Sequence, residues 1–184
     1  RLVGSEMCIR DRYRPIKSNK LVQFMKIVAL VQARMGSVRL PGKVLKSIVG
    51  KPMIEILLDR LSNSVELDQI VVATSTDSKN DLLHKKVEQL GYACFRGSEK
   101  NVLNRFYESA KFYKADAVLR ITGDCPLVDP HLVDECIKGF KNSAVDYFSN
   151  IEPPSYPDGL DVEVFTCEAL RLADKESSSD FDKE

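Results

Sequence analysis

The sequence is poor in the residues from which metal cages and secreted scaffolds are built. Its 184 residues include only two histidines, His84 and His131, and its five cysteines (Cys8, Cys94, Cys125, Cys136 and Cys167) form no close pair. No familiar zinc spacing can be assembled from them, and scattered thiols of this kind suit a reducing compartment. The two histidines stand alone and read as surface or helix-end residues. No apolar run approaches the roughly 18–20 residues that span a bilayer, and the first residues lack the apolar stretch of a secretory signal. The expected location is therefore the cytoplasm, with no membrane partner. Net charge is missing too, since 27 basic residues balance 27 acidic ones. That argues against a broad nucleic-acid-binding face but allows a local basic pocket for one small anion. With 43% hydrophobic and 29% charged residues and no low-complexity tract, the chain has the makings of one globular domain.

Both ends depart from that pattern. Residues 1–24 show neither helical nor strand period, and Val3 to Arg10 resembles translated adaptor sequence. This stretch is expected to be a non-native or disordered extension, with Met25 as the natural start and the domain running over residues 25–184. A helix-like stretch around Glu168 to Ala173 runs into Ser177-Ser178-Ser179-Asp180 and stops, so the domain is expected to be incomplete at its C-terminal end.

Between them strands and helices alternate. Ile27-Val28-Ala29-Leu30-Val31 is continuously apolar and suits a strand covered on both faces. Pro52 opens a helix whose Ile54, Leu57, Leu58 and Leu61 share one face. Ile70 to Ala73 is a second short strand, and Asp77 is placed to cap a helix that ends at Gly91. A third strand over Tyr92 to Phe95 leads to a helix with Val102, Leu103, Phe106, Tyr107 and Ala110 on one side. Ala117 to Ile121 is the fourth, and Asp129-Pro130 opens a helix to about Phe140, with Leu160 to Phe165 as an added strand. This alternation predicts an α/β fold with a mainly parallel central sheet. In such sheets ligands gather at the carboxyl ends of the strands, which directs attention to the loops after Ala33, Ala73 and Ile121.

The first of these loops reads Gln32-Ala33-Arg34-Met35-Gly36-Ser37-Val38-Arg39-Leu40-Pro41-Gly42-Lys43. Gly36 and Gly42 permit close backbone approach, Ser37 adds a hydroxyl, and Arg34, Arg39 and Lys43 supply three cations within ten residues. A triphosphate and a departing pyrophosphate need such a loop. Five residues separate Gly36 from Gly42 and Val44 follows Lys43, so this is not a P-loop. The G-x-G-x-x-G dinucleotide fingerprint is absent as well.

The fourth strand ends in Thr122-Gly123-Asp124-Cys125-Pro126. Glycine before and proline after hold Asp124 on a stiff turn facing the crevice, where a carboxylate suits Mg²⁺ shared with phosphate oxygens. Asp129, directly before Pro130, reads instead as an N-cap, and Cys125 has no histidine nearby in sequence to make it a nucleophile. Thr74, at the end of the second strand, could meet a ribose or base edge. In Tyr156-Pro157-Asp158-Gly159-Leu160-Asp161-Val162-Glu163, the residues Tyr156, Asp158, Asp161 and Glu163 are candidates for accepting hydrogen bonds from sugar hydroxyls, while Asp158-Gly159 reads equally well as a turn.

Together the basic loop and the Thr-Gly-Asp turn resemble the CTP-dependent sugar-activating enzymes. That group includes the SpsF-type spore-coat polysaccharide proteins, the 3-deoxy-manno-octulosonate cytidylyltransferases and the acylneuraminate cytidylyltransferases. The SpsF-type pattern is the nearest, and the resemblance extends from Met25 to Glu184. It implies a Rossmann-like, GT-A-like nucleotidyltransferase fold truncated at the C-terminus. It also implies transfer of CMP from CTP to an acidic sugar or sugar phosphate in surface glycan synthesis, with Mg²⁺ as cofactor. Under the resemblance Arg34, Lys43 and Asp124 are catalytic, Asp124 holds the metal, and Gln32, Ala33, Arg34, Gly36, Ser37, Arg39, Lys43, Thr74, Arg105 and Gly123 contact the nucleotide. Arg105 is placed near the base, although Asn104 stands where the family often has aspartate. A second acidic metal ligand is expected beyond residue 184. A glycosyltransferase of similar layout and a non-catalytic nucleotide-binding domain are the alternatives, and a homodimer is left open.

Overall fold

The computed structural model describes residues 25–37 and 39–179; the expectations for residues 1–24 and for the last five positions fall outside them. β1 (Ile27–Gln32) forms where the sequence is continuously apolar, and its first five residues are fully buried. After the loop comes a 3-10 turn at Lys43–Leu45 and a small hairpin of β2 (Ser47–Ile48) and β3 (Lys51–Pro52). The hairpin has no counterpart among the expected elements. Each strand is two residues long, and its turn holds Val49 and Gly50 at positive φ (50° and 83°), a geometry that normally selects Asn or Gly. Pro52 consequently ends β3 in an extended conformation, one position before helix α1 (Met53–Leu61) rather than inside its first turn.

At nine residues α1 is shorter than the roughly 12–15 needed for a helix to persist alone in water. Tertiary packing holds it, because Ile54, Leu57, Leu58 and Leu61 are all fully buried and each contributes roughly 1.5–3 kcal/mol. The alternation continues through β4 (Gln69–Ser75), α2 (Asp81–Gln89), β5 (Ala93–Gly97), α3 (Val102–Phe112), β6 (Ala117–Thr122) and α4 (Pro130–Ser143). Asp77 caps the 3-10 turn Ser78–Asn80 that precedes α2, accepting from the Lys79 amide at 2.8 Å, rather than α2 itself. Asp129 does cap α4, accepting from the amides of His131 and Leu132 at 2.8 and 3.2 Å. β7 (Tyr147–Ser149), β8 (Glu163–Thr166) and α5 (Cys167–Glu176) complete the described elements. The added strand expected from Leu160 starts three residues later.

The large sheet has the order β5-β4-β1-β6-β8-β7. β5, β4, β1 and β6 run parallel, β8 is antiparallel to β6, and β7 is antiparallel to β8. Alternate residues of the central strands divide the core between two faces. Ile27, Ala29, Val31, Leu119 and Ile121 face α1, α2 and α4, whereas Val28, Leu30 and Val118 face α3 and α5. No described helix is long and apolar enough to cross a membrane.

Candidate active site

Because β1 lies between β4 and β6 and all three are parallel, their carboxyl ends open on one edge of the sheet. Two loops are joined there by backbone. The Gly123 amide donates to the Gln32 carbonyl at 2.8 Å, and the Ala33 amide donates to the Ala73 carbonyl at 3.4 Å. A Cβ at position 123 would stand 2.6 Å from the Gln32 oxygen and 2.8 Å from the Ala33 Cβ, so only glycine lets the Asp124 turn lie this close to β1. Gly42 meets a different demand, taking φ 68° to lead the chain into the Lys43–Leu45 turn.

A cleft of about 350 Å³ opens between the loops. Gln32, Ala33, Arg34, Ser37, Arg39 and Lys43 line one side, Thr122, Gly123 and Asp124 the other, with Val44 and Arg120 completing it. The Lys43 ammonium hydrogen-bonds Asp124 Oδ2 across the opening. That contact is the main reason the Asp124 carboxyl sits below its ordinary value; partial burial opposes the shift, and Arg39 adds to it. Asp124 is therefore an ionised carboxylate facing a wall of cations. Arg120 is fixed from behind, donating to Glu163 at 2.7 Å and lying 3.5 Å from the Gln32 side-chain oxygen.

A second cleft, of about 710 Å³, shares Arg39, Thr122 and Asp124 with the first. Its remaining walls include Cys125, Pro126, Leu127 and the stretch Pro157 to Asp161. Burial, with Asp158 and Glu163 nearby, holds the Asp161 carboxyl above its ordinary value. Burial likewise raises the Cys125 thiol, which contacts the Thr122 hydroxyl at 2.9 Å. A thiol with a raised pKa is a poor nucleophile.

Asp158 and Asp161 thus line the second cleft, whereas two other candidates from that segment do not. Tyr156 is exposed beside it, and Glu163 is engaged below by Arg120 and by the Tyr147 hydroxyl at 2.8 Å. Gly36 lies in the basic loop without lining either cleft. Thr74 is fully buried and lines neither. Arg105 is only 2% exposed and donates to the Ser98 carbonyl at 2.5 Å. Burial lowers its pKa, with Glu99 opposing and Arg34 reinforcing the shift.

Two residues outside the sequence-based candidates bear on the site. Arg120 had a legible signal, a charge inside an otherwise apolar strand four residues before Asp124. Asn80, 2% exposed, accepts from the Met35 amide at 2.8 Å, across a separation of 45 residues. No local pattern announces such a contact.

A mainly parallel α/β sheet with a cation-rich loop and a carboxylate turn meeting at the carboxyl edge of its central strands belongs to the nucleotidyltransferase fold class. Residues 28–183 match the cytidylyltransferase family model, and the chain belongs to that family. It is 41% identical over 160 residues to the uncharacterized protein MJ1063 of Methanocaldococcus jannaschii, an alignment covering 87% of this chain and 65% of that protein. It is 38% identical over 132 residues to the spore coat polysaccharide biosynthesis protein SpsF of Bacillus subtilis, covering 70% of this chain and 55% of the relative. A solved cytidylyltransferase structure from Leptospira borgpetersenii superposes with a TM-score of 0.84 at 31% identity, over 87% of this chain and 68% of that one. The chain thus spans between about half and two thirds of the length of these two curated relatives.

Proposed function

We propose that the full protein is a CTP-dependent sugar cytidylyltransferase of surface glycan synthesis, transferring CMP to an acidic sugar or sugar phosphate and releasing pyrophosphate. One observation carries this reading: Arg34, Arg39 and Lys43 converge with Asp124 on a single cleft whose mouth continues into a second, larger one. The first cleft suits the nucleotide, with the three cations on the triphosphate oxygens and Gln32, Ala33, Ser37 and Gly123 forming its walls. The second suits the acceptor. Asp158 and Asp161 accept hydrogen bonds from hydroxyl groups there, while Arg39, common to both clefts, meets an acidic group.

In the reaction an acceptor oxygen attacks the α-phosphorus in line. A new phosphorus–oxygen bond forms as the α–β phosphoanhydride bond breaks. The chain's contribution is positioning and charge neutralisation by Arg34 and Lys43, with no covalent intermediate on the protein. Among the described residues Asp124 is the one carboxylate lining the nucleotide cleft, and no group of three or more His, Cys, Asp or Glu could cage a metal. That donor set fits Mg²⁺ arriving with the triphosphate, since this ion is commonly held by one or two carboxylates plus phosphate oxygens. Bound there it would neutralise charge at the reacting phosphate. Nucleotide binding would free Lys43 from Asp124 to meet a phosphate, and Asp124 is the residue that would then hold the cation.

The test is to incubate the full-length protein with each nucleoside triphosphate, Mg²⁺ and a panel of acidic sugars and sugar phosphates, and to follow pyrophosphate by a coupled assay. CTP-dependent pyrophosphate release is expected, and Lys43→Ala is expected to lower kcat/KM by about 100-fold or more, the scale of removing one charge-stabilising group, while leaving the protein folded. Release of free nucleoside diphosphate from a nucleotide-sugar instead would identify a glycosyltransferase and overturn the reading.

A further inference from the structure

Asn80 is a polar residue with almost no access to solvent, and both ends of its amide are used. It closes the 3-10 turn Ser78–Asn80 between β4 and α2. Its Nδ2 donates to the Ser75 hydroxyl at 2.7 Å, and its Oδ1 accepts from the Met35 amide at 2.8 Å. Met35 N–H must donate, so the oxygen of Asn80 is the end that faces it. Ser75 is anchored in turn, since it ends β4 and its hydroxyl also accepts from the Asp77 amide at 3.2 Å.

The far end of this connection is the basic loop. The Met35 carbonyl accepts from the amides of both Ser37 and Gly42, each at 3.0 Å. Fixing Met35 therefore fixes the early part of the loop, where Arg34 and Ser37 lie, and its exit, where Gly42 hands on to Lys43. Among its described residues the loop has no strand or helix of its own between Gln32 and Lys43, so its shape depends on such ties. A loop that must be ordered when its ligand arrives binds more weakly than one already in place.

We propose that Asn80 is a positioning residue for nucleotide binding, holding the phosphate-facing loop in its binding shape through Met35. This rests on the CTP-dependent reaction inferred above. Asn80 touches no substrate. It transmits the rigidity of β4 to the loop on β1.

The experiment uses the full-length protein and compares Asn80→Ala, Ser75→Ala and Leu83→Ala. Leu83 is a fully buried α2 residue of the core that lines neither cleft and makes no hydrogen bond to the loop through its apolar side chain. Its truncation serves as the purely structural control. For each variant, KM for CTP, KM for the acceptor, kcat and Tm are measured well below the unfolding transition. Asn80→Ala is expected to raise KM for CTP about five-fold, the scale of one lost hydrogen bond, leaving the acceptor KM unchanged. Ser75→Ala removes the anchor behind Asn80, together with the acceptor of the Asp77 amide, and is expected to give a smaller rise in the same parameter. Leu83→Ala is expected to lower Tm without moving KM for CTP. An Asn80→Ala variant with lowered Tm and wild-type KM for CTP overturns the proposal, because Asn80 would then be behaving like Leu83. If Asn80→Ala does not fold, an unchanged KM for CTP in Ser75→Ala overturns it. A wild-type protein that releases no pyrophosphate from CTP brings down the functional reading itself, an outcome distinct from an active enzyme indifferent to Asn80.

Discussion

At the scale of single residues, the candidate site is written in charges that flank buried strands. Arg34, Arg39, Lys43 and Asp124 were legible because each lies within a dozen residues after a largely apolar run, where the chain must turn at the sheet edge. Arg105, which the resemblance sets near the base, is 2% exposed. Helical spacing puts it on the same face as Val102, Phe106 and Ser109, and that face is buried against the sheet. The second cleft supplies a prediction at this scale. Asp161 has a raised pKa in the folded protein, so its ionised form is disfavoured by folding. The resulting penalty is fully present above the folded pKa and disappears as pH falls below the unfolded value. Asp161→Asn is therefore expected to raise Tm at pH 7, and this gain should shrink as pH is lowered toward 4. The same change should raise the acceptor KM. A Tm difference that does not vary with pH would contradict the electrostatic origin.

At the scale of elements, long apolar or amphipathic runs were readable and short pieces were not. β1 and β4 declare themselves by five consecutive buried residues, and β6 by an apolar run interrupted at Arg120. The β2–β3 hairpin and β7 offer two or three residues each, too few for a period, and Val49 contradicts its own turn type. Gly123 belongs to this scale because its role is to let one element touch another. Gly123→Ala would drive a methyl into the Gln32 carbonyl, and neither strand can yield without losing its pairing. The cost expected is about 1–3 kcal/mol, together with displacement of Asp124 and loss of most CTP turnover. Thermal denaturation and the pyrophosphate assay would show both effects; wild-type values in both would mean the two strands separate without consequence.

For the molecule as a whole, the strand order decides which loops can meet. Pattern analysis yields the parallel strands but not their order, since order is set by which faces and edges pair after the chain has collapsed. With β1 between β4 and β6, two loops about 80 residues apart in sequence become opposite walls of one cleft. A ligand that fills it ties the halves of the sheet together, so CTP at a hundred-fold excess over its Kd should stabilise the full protein by about 2.7 kcal/mol. That corresponds to a Tm rise of about 5 °C, with ATP giving less; equal shifts for the two nucleotides would show that the cleft reads phosphate and not base. One reversal of direction has a further consequence. β8 runs against β6, so the chain entering β8 arrives at the edge that β6 leaves, bringing Pro157 to Asp161 alongside Asp124. Had β8 followed its neighbours, that segment would have emerged on the far side of the sheet. The stretch between β7 and β8 thus forms a visor over the chemical edge, and under the proposed reaction it is the part of the chain that an acceptor would meet.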